Sequence, residues 1–265
     1  MSESILVTGG TGTLGRHVVD RLHGSDIRVL TRSPRASAPY TAVAGDLATG
    51  VGLDEAVAGA GTIVHLASDP RRPRTDVDGT RRLIDAARRA GTRHLVFISI
   101  VGVDRHPYAY YQAKYVVERM IEDSGLPYTI LRTTQFHDLV LFMAQTLARL
   151  PVTPIPSGWS FQPVEAGEVA DRMAALALSE PAGRVPDMGG PEILPAREFV
   201  GEYLAAAGRR RPLAPVRVPG KVSQAFRRGV HLAPGHADGR RVYRDFLAER
   251  VRRGRPAAGY GRSWA

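Results

Sequence analysis

The chain has 265 residues, of which 43% are hydrophobic, enough for an α/β domain with an ordinary apolar core. It contains no cysteine, which excludes disulfides, thiolate metal sites and cysteine nucleophiles. No apolar run approaches the ~20 residues of a membrane span, and the first residues lack the pattern of a secretory signal. We therefore expect a cytoplasmic protein without a membrane span.

The net charge of +10 is concentrated in residues 209–265, where fifteen Lys and Arg stand against three Asp and Glu. Such a segment is typical either of a surface that binds an anionic partner or of a face exposed to solvent. Only two of the 36 basic residues are lysines, Lys114 and Lys221, which indicates a general bias toward arginine. We attribute the excess charge to this bias and expect no nucleic-acid partner.

Short apolar runs alternate with amphipathic segments through the first half of the chain. They predict strands over residues 4–8, 27–31, 40–44, 62–66, 94–99 and 128–131, and helices over 11–23, 53–58, 76–90 and 110–124. Because parallel strands need crossover connections, this alternation predicts an α/β fold with a doubly wound parallel sheet.

The pattern loosens after about residue 133. We predict helices over 136–150, 165–179, 199–207 and 241–253, with a proline-rich loop over 151–163. Ligands of doubly wound folds lie beyond the carboxyl ends of the strands. Residues 1–135 are thus predicted to be a parallel-sheet core, and residues 136–265 a small C-terminal substrate cap integrated with it.

The strongest local motif is the sequence VTGGTGTLG at residues 7–15, which follows the first strand and opens the first helix. Three glycines spaced three apart permit a tight turn, the approach of a phosphate and close helix–strand packing. The helix N-terminus favours the pyrophosphate. We assign dinucleotide binding to Gly9, Thr11, Gly12, Thr13, Leu14 and Gly15.

The end of the second strand indicates which dinucleotide is bound. Folds selective for NAD place an acid here, on the ribose 2′-hydroxyl. This chain has Arg32 instead, and Arg16 and Arg35 add positive charge nearby. A guanidinium suits a 2′-phosphate, so we expect NADP(H) as the preferred cofactor, with NAD(H) possible; otherwise Arg32 is a surface arginine.

Over residues 4–200 the chain resembles the short-chain dehydrogenase/reductase superfamily, and in particular its extended and atypical NmrA-like members. The glycine motif, Thr31-Arg32-Ser33, Gly45-Asp46-Leu47 and His65-Leu66-Ala67-Ser68 carry the resemblance. It implies a Rossmann fold that binds NAD(P)(H). It also implies further cofactor contacts, with Asp46 at the adenine, Leu47 following it, and Leu66, Ala67 and Ser68 along the adenosine ribose.

Tyr110 and Lys114 form a Tyr-x-x-x-Lys pair. Residues i and i+4 share a helix face, and an ammonium lowers the pKa of a phenol from its usual ~10. Tyr110 is therefore the predicted proton donor, with Tyr111 as a rival and Lys114 also reaching the nicotinamide ribose. The family's third catalytic residue is a serine after strand five; Ser99 is the candidate here, although Ile100 occupies the place of the usual second serine.

Residues 132–138 resemble the loop that NmrA-like proteins place along the nicotinamide, which assigns Thr133 to the cofactor. His137 and Asp138 in this loop are either a proton relay or structural residues. Gln135, Phe136, Trp159 and Phe161 are predicted to contact the substrate, the alternative for the aromatic residues being that they form the core of the cap. The eight histidines show no ligand spacing, so no metal site is expected.

These features favour an NADPH-dependent reductase of a small, hydrophobic or aromatic carbonyl or quinone-like substrate, acting as a monomer or homodimer. The first alternative is a non-catalytic NAD(P)(H) sensor of NmrA type. The second is a nucleotide-sugar isomerase or dehydratase with tightly held NAD. Fold alone does not decide among them.

Overall fold

The structure is a computed structural model that describes residues 4–34 and 40–252. The chain divides into two compact units, each described by itself. The first unit comprises the described residues of Met1–Ser99, Ala109–Arg132 and Val169–Pro186. The second unit comprises those of Ile100–Tyr108, Thr133–Glu168 and Asp187–Ala265.

Strands and helices alternate along the chain. In order they are β1 (Ser4–Thr8), α1 (Gly15–Arg21), β2 (Ile27–Thr31), β3 (Thr41–Ala44), α2 (Leu53–Val57), β4 (Ala60–His65), α3 (Pro73–Ala90), β5 (His94–Ile100), α4 (Ala109–Glu122), β6 (Tyr128–Thr133), α5 (His137–Leu147), β7 (Thr153–Pro156), β8 (Ser160–Phe161), α6 (Ala166–Ala177), β9 (Gly183–Arg184), β10 (Leu194–Pro195), α7 (Ala196–Ala206), β11 (Leu213–Val216), α8 (Lys221–Arg227) and α9 (Tyr243–Arg252).

The first unit is built on a seven-stranded parallel sheet in the order β3-β2-β1-β4-β5-β6-β9. All five residues of β1 are buried, and Val7 pairs in register with Val29 of β2 and Val64 of β4. A central parallel strand is covered on both faces, which explains its continuous apolar run. The chain direction across the sheet reverses between β1 and β4, and this switch point is where doubly wound folds bind ligands.

The second unit contains two small sheets, a parallel pair of β7 with β11 and an antiparallel pair of β8 with β10. Helices α5, α7 and α9 pack together beside them. Their shared core includes the fully buried side chains of Leu141, Phe199 and Tyr243. This core differs from that of the first unit because aromatic residues from distant segments fill it.

The expected α/β fold with a doubly wound Rossmann sheet is confirmed, and the six predicted strands match β1 to β6 closely. Helix α1 begins at Gly15 rather than at residue 11, because residues 9–12 form a turn in which Gly12 N–H donates to Gly9 O at 3.0 Å. The prediction of a loop over 151–163 was wrong in part, since β7 and β8 lie there. Strands β9 and β11 and helix α8 were not predicted, because segments this short show no periodicity.

Residues 4–34 and 40–252 include no helix long and apolar enough to cross a membrane.

Candidate cofactor site and active site

The glycine loop between β1 and α1 is closely packed against the start of the segment that follows β4. Gly9 has a φ of +70°, and a Cβ there would lie 2.6 Å from the Ala67 backbone nitrogen. A Cβ at Gly15 would overlap the Gly9 carbonyl oxygen, whereas one at Gly12 would meet only that oxygen, at 3.2 Å. The loop thus requires glycine for its own packing at two positions and is open at the third, which fits the approach of a pyrophosphate.

The remaining loop residues assigned from sequence differ in exposure. Thr11 is exposed, Thr13 is half-buried and Leu14 is buried beneath the loop. Backbone groups of this turn, rather than long side chains, are therefore what the loop presents to a ligand.

Buried hydrogen bonds join the ends of β1 and β4 to α3. Thr8 Oγ1 lies 2.7 Å from His65 Nδ1, and His65 Nε2 lies 2.9 Å from Thr80 Oγ1. Because the Thr80 hydroxyl donates to the Asp76 carbonyl oxygen at 2.7 Å, it accepts from His65, which assigns the proton to Nε2. Burial, with a smaller contribution from the Lys114 charge, lowers the pKa of His65 to about 3, so this imidazole is neutral.

Arg32, Asp46 and Leu47 lie at the ends of β2 and β3. Arg32 is exposed. Asp46 Oδ1 accepts a hydrogen bond from Ala48 N–H at 2.9 Å and so closes its own loop. Leu47 packs against α3, where a Cβ added at Gly79 would lie 3.1 Å from the Cβ of Leu47. Arg35 lies outside the described residues.

Tyr110 is linked to Ser68 and Asp76. The Tyr110 hydroxyl lies 2.9 Å from Ser68 Oγ, which donates to Asp76 Oδ2 at 2.6 Å. Asp76 Oδ1 accepts from Asp69 N–H at 2.8 Å. The structure therefore brings a predicted cofactor residue, Ser68, into contact with the predicted proton donor.

Lys114 is one of two lysines in the chain, and it is buried. Its Nζ donates to the Ile98 carbonyl oxygen at 3.3 Å and lies 4.5 Å from the centre of the Phe97 ring. Burial lowers the pKa of Lys114 to about 8, while the charges of Asp76 and Glu118 act in the opposite direction. An ammonium with so few hydrogen bonds is costly to bury, which indicates a role other than stability.

The other catalytic candidates of the first unit occupy different surroundings. Ser99 is 2% exposed, and its hydroxyl has no hydrogen-bond partner among the described residues. Tyr111, the rival of Tyr110, is buried and meets the Tyr110 ring edge to face at 6.4 Å. Tyr110 is only half-buried, so it is the more accessible of the two phenols.

The remaining site residues predicted from sequence belong to the second unit. Thr133 is buried and its carbonyl accepts from Val101 N–H, while Gln135 Nε2 donates to the His231 carbonyl oxygen at 3.3 Å. Phe136 precedes α5 and is half-buried. Trp159 is also half-buried and meets the buried Phe161, with ring centres 6.4 Å apart.

His137 and Asp138 have structural partners in α9 and the segment before it. His137 Nε2 donates to the Arg241 carbonyl oxygen at 3.0 Å, and its ring stacks on Phe246. Asp138 pairs with Arg250. These contacts favour the structural interpretation of the two residues over the relay.

Asp76 was not identified as a functional residue from the sequence, which placed it only at the start of a helix. Its relation to Ser68 and Tyr110 depends on the packing of α3 beside α4. No spacing in the sequence indicates that these residues meet, because 42 positions separate Ser68 from Tyr110. Over the part of the chain that the structure describes, no three His, Asp or Glu side chains come together as a metal site.

Known proteins similar to this chain bind NAD(P)H or are reductases. Residues 9–145 match the NAD(P)H-binding family. A (4-alkanoyl-5-oxo-2,5-dihydrofuran-3-yl)methyl phosphate reductase of Streptomyces griseus is 30% identical over 216 residues, which cover 77% of this chain and 74% of that protein. Quinone oxidoreductase 2 of Escherichia coli is 25% identical over 219 residues, covering 78% of this chain and 75% of that protein.

Solved structures show the same fold. An NADPH-dependent quinone oxidoreductase of Escherichia coli, in complex with NADPH, has a TM-score of 0.79 at 19% identity and covers 92% of this chain and 99% of its own. A nucleoside-diphosphate-sugar epimerase of Staphylococcus aureus has a TM-score of 0.79 at 18% identity, with the same coverage. At such identities the two structures support the fold alone. The match over residues 9–145 and the similarity to reductases over most of their length show that the chain belongs to the NAD(P)H-binding family and is an oxidoreductase.

Proposed function

We propose that this oxidoreductase is an NADPH-dependent reductase of a small, hydrophobic or aromatic carbonyl or quinone-like substrate. The observation that carries the proposal is the hydrogen bond between the hydroxyl of the half-buried Tyr110 and Ser68. Tyr110 lies on the same helix as the buried Lys114. A phenol one helical turn from a buried ammonium is suited to proton transfer to a substrate oxygen.

In this mechanism the bound dinucleotide supplies the hydride, and the chain supplies the proton and the orientation. Residues 9–15 would hold the pyrophosphate. The Tyr110 hydroxyl would donate its proton to the substrate oxygen, and the Lys114 ammonium would stabilise the phenolate left behind. Ser99 would orient the substrate carbonyl, which is supported by its buried hydroxyl without a partner among the described residues.

The names of two relatives support the substrate class. A quinone and an alkanoyl-oxo-dihydrofuran are both cyclic, unsaturated carbonyl compounds. The predicted substrate contacts stay predictions: Gln135, Phe136, Trp159 and Phe161. The predicted cofactor contact of Thr133 and the cytoplasmic location also stay predictions.

The test is turnover on a panel of quinones and cyclic unsaturated ketones, followed by the absorbance of the reduced nicotinamide. Tyr110→Phe is expected to lower kcat at least about 100-fold with unchanged NADPH affinity, because it removes only the proton. Tyr115→Phe, which changes an exposed tyrosine of the same helix, is the matched control and is expected to be fully active. Loss in Tyr111→Phe with activity retained in Tyr110→Phe would reassign the donor.

The preference for NADPH rests on Arg32, the exposed cation that follows β2. We expect Arg32→Ala to weaken NADPH binding about tenfold and to leave NADH binding unchanged, because only NADPH carries the 2′-phosphate. Arg88→Ala, at an exposed position of α3, controls for loss of surface charge. Equal affinity of the wild-type protein for both cofactors would contradict the preference.

The alternative function is a non-catalytic sensor of NmrA type. Tight NADPH binding with no turnover on any member of the panel would favour it over the reductase. The burial of Lys114, four residues after Tyr110 on α4, argues for the reductase, since a sensor has no evident need for an activated phenol.

A further inference from the structure

The hydrogen-bonded chain from Tyr110 leads away from the ring and ends at a carboxyl group. Tyr110 Oη, Ser68 Oγ and Asp76 Oδ2 follow one another at 2.9 and 2.6 Å. Both steps are within the range of good O–H···O hydrogen bonds. Asp76 is half-buried, so the far end of the chain reaches water.

While Asp76 is ionised, the number of hydroxyl protons determines which group donates in each of these hydrogen bonds. Ser68 has one hydroxyl proton and donates it to Asp76 Oδ2. Tyr110 must then donate its own proton to Ser68. If Asp76 carries a proton on Oδ2, the order reverses: Asp76 donates to Ser68, and Ser68 donates to the Tyr110 oxygen.

We propose that Ser68 and Asp76 form a proton relay that re-protonates Tyr110 after each reduction, which rests on the proposed role of Tyr110 as donor. After Tyr110 has given its proton to the substrate oxygen, the phenolate oxygen takes the Ser68 proton while Ser68 takes the proton of Asp76. One O–H bond forms at Tyr110, one breaks at Asp76, and Asp76 is left as a carboxylate. Water then returns a proton to Asp76, matching the one solvent proton that each reduction by NADPH consumes.

The groups around Asp76 keep both of its protonation states accessible. Burial raises the pKa of the Asp76 carboxyl and the Asp69 charge does the same, whereas Lys114 of α4 and the hydrogen bonds from Ser68 and Asp69 lower it. His65, joined to the Asp76 main chain through Thr80, is neutral. Burial, the largest of these influences, favours the protonated carboxyl, and the hydrogen bonds and the Lys114 charge favour the carboxylate.

The kinetic test uses Ser68→Ala, Asp76→Asn and the double variant. Each is expected to lower kcat about 10- to 100-fold, and the double variant no further than the singles, because both residues serve one path. Added formic acid buffer is expected to restore kcat in proportion to its concentration by protonating the phenolate directly, but not in Tyr110→Phe. Asp78→Asn, two residues further along α3 in an exposed pair with Arg81, is the matched control and is expected to behave as wild type.

Two results would overturn the relay while leaving the reductase intact. One is wild-type kcat in Asp76→Asn and Ser68→Ala. The other is a loss of kcat that formic acid does not restore, which would show a structural role only. An inactive wild-type protein would instead overturn the proposed function.

A readout without turnover tests Asp76 directly. Infrared spectra of the protein without cofactor are expected to show a carboxylic-acid C=O band from Asp76 that grows as the pH is lowered, ahead of the exposed carboxyls, because burial raises the pKa of Asp76. The band should be absent in Asp76→Asn and retained in Asp78→Asn. Identical spectra for wild type and Asp76→Asn over this range would sink the proposal whether or not a substrate has been found.

Discussion

The two units of the molecule differ in how deeply they bury charged groups. The interior of the first unit retains charge: Arg132 and Glu118, 6% and 2% exposed, form a bidentate pair at 2.8 and 2.6 Å, and Lys114 lies close to them. In the second unit the charged pair of Asp138 and Arg250 is less deeply buried, at 5% and 19% exposed, and the buried imidazoles are neutral. Burial lowers the pKa of His137 and His231 to about 4, so both rings are uncharged at neutral pH.

The surroundings of the imidazoles explain the difference. His231 donates from Nε2 to the Ser160 carbonyl oxygen at 2.8 Å and meets Phe226, with ring centres 4.8 Å apart. A neutral ring among aromatic rings needs no counter-ion, whereas a charged group in the interior needs an opposite charge. The comparison teaches that the most deeply buried charges lie beside the predicted active-site residues, whereas the aromatic interior of the second unit holds neutral imidazoles.

Acid is expected to have the largest effect on this contrast. The pKa of His106, His137 and His231 is about 4 in the folded protein and 6.5 in the unfolded chain. Between these values only the unfolded chain binds the protons, so stability is complete above pH 6.5 and falls as the pH drops toward 4. Each imidazole contributes up to about 1.4 kcal/mol per pH unit.

Hydrogen exchange measured at pH 7.5 and pH 5 locates this loss. Among the described residues, burial lowers the pKa of three histidines in the second unit and of two, His65 and His94, in the first. Amides of the second unit are therefore expected to lose more protection than those of the first. Earlier loss of protection in the first unit would break the comparison.

The buried ion pair is the next test. Glu118→Gln leaves the Arg132 charge buried without its partner, and we expect a loss of about 3–5 kcal/mol in the free energy of unfolding. Glu165→Gln in the second unit is the matched change, since Arg241 is 29% exposed and also pairs with Glu249. There we expect a loss of about 1 kcal/mol or less. Urea denaturation measures the free energy of unfolding of both variants. Equal losses would show that burial of charge does not distinguish the units.

Two glycines provide the smallest contrast. Gly15→Ala is expected to cost about 1–3 kcal/mol and to weaken NADPH binding, because the new Cβ overlaps the rigid Gly9 carbonyl oxygen. Gly201 lies in α7, where a Cβ meets nothing within 4 Å. Gly201→Ala is therefore expected to stabilise the protein by about 1 kcal/mol. Thermal unfolding with and without NADPH measures both, and a Gly15→Ala variant with wild-type affinity would remove the packing argument for the loop.

The sequence by itself determined the parts of the molecule whose signals are local. Strands β1 to β6 appear as short apolar runs, the loop at residues 9–15 as a glycine spacing after a strand, and Tyr110 with Lys114 as a helical spacing of four. In each case a few consecutive residues carry the pattern and the backbone geometry follows from it.

Only the tertiary structure decided which distant groups meet. It placed β9, two residues long, at the edge of the sheet. It also connected Tyr110 through Ser68 to Asp76, and gave His65 the two threonine partners that set its proton. The hydrogen bonds of Tyr110 with Ser68 and of Thr8 with His65 join residues 42 and 57 positions apart. They leave no local pattern, because they depend on how helices and strands pack and not on the spacing of residues along the chain.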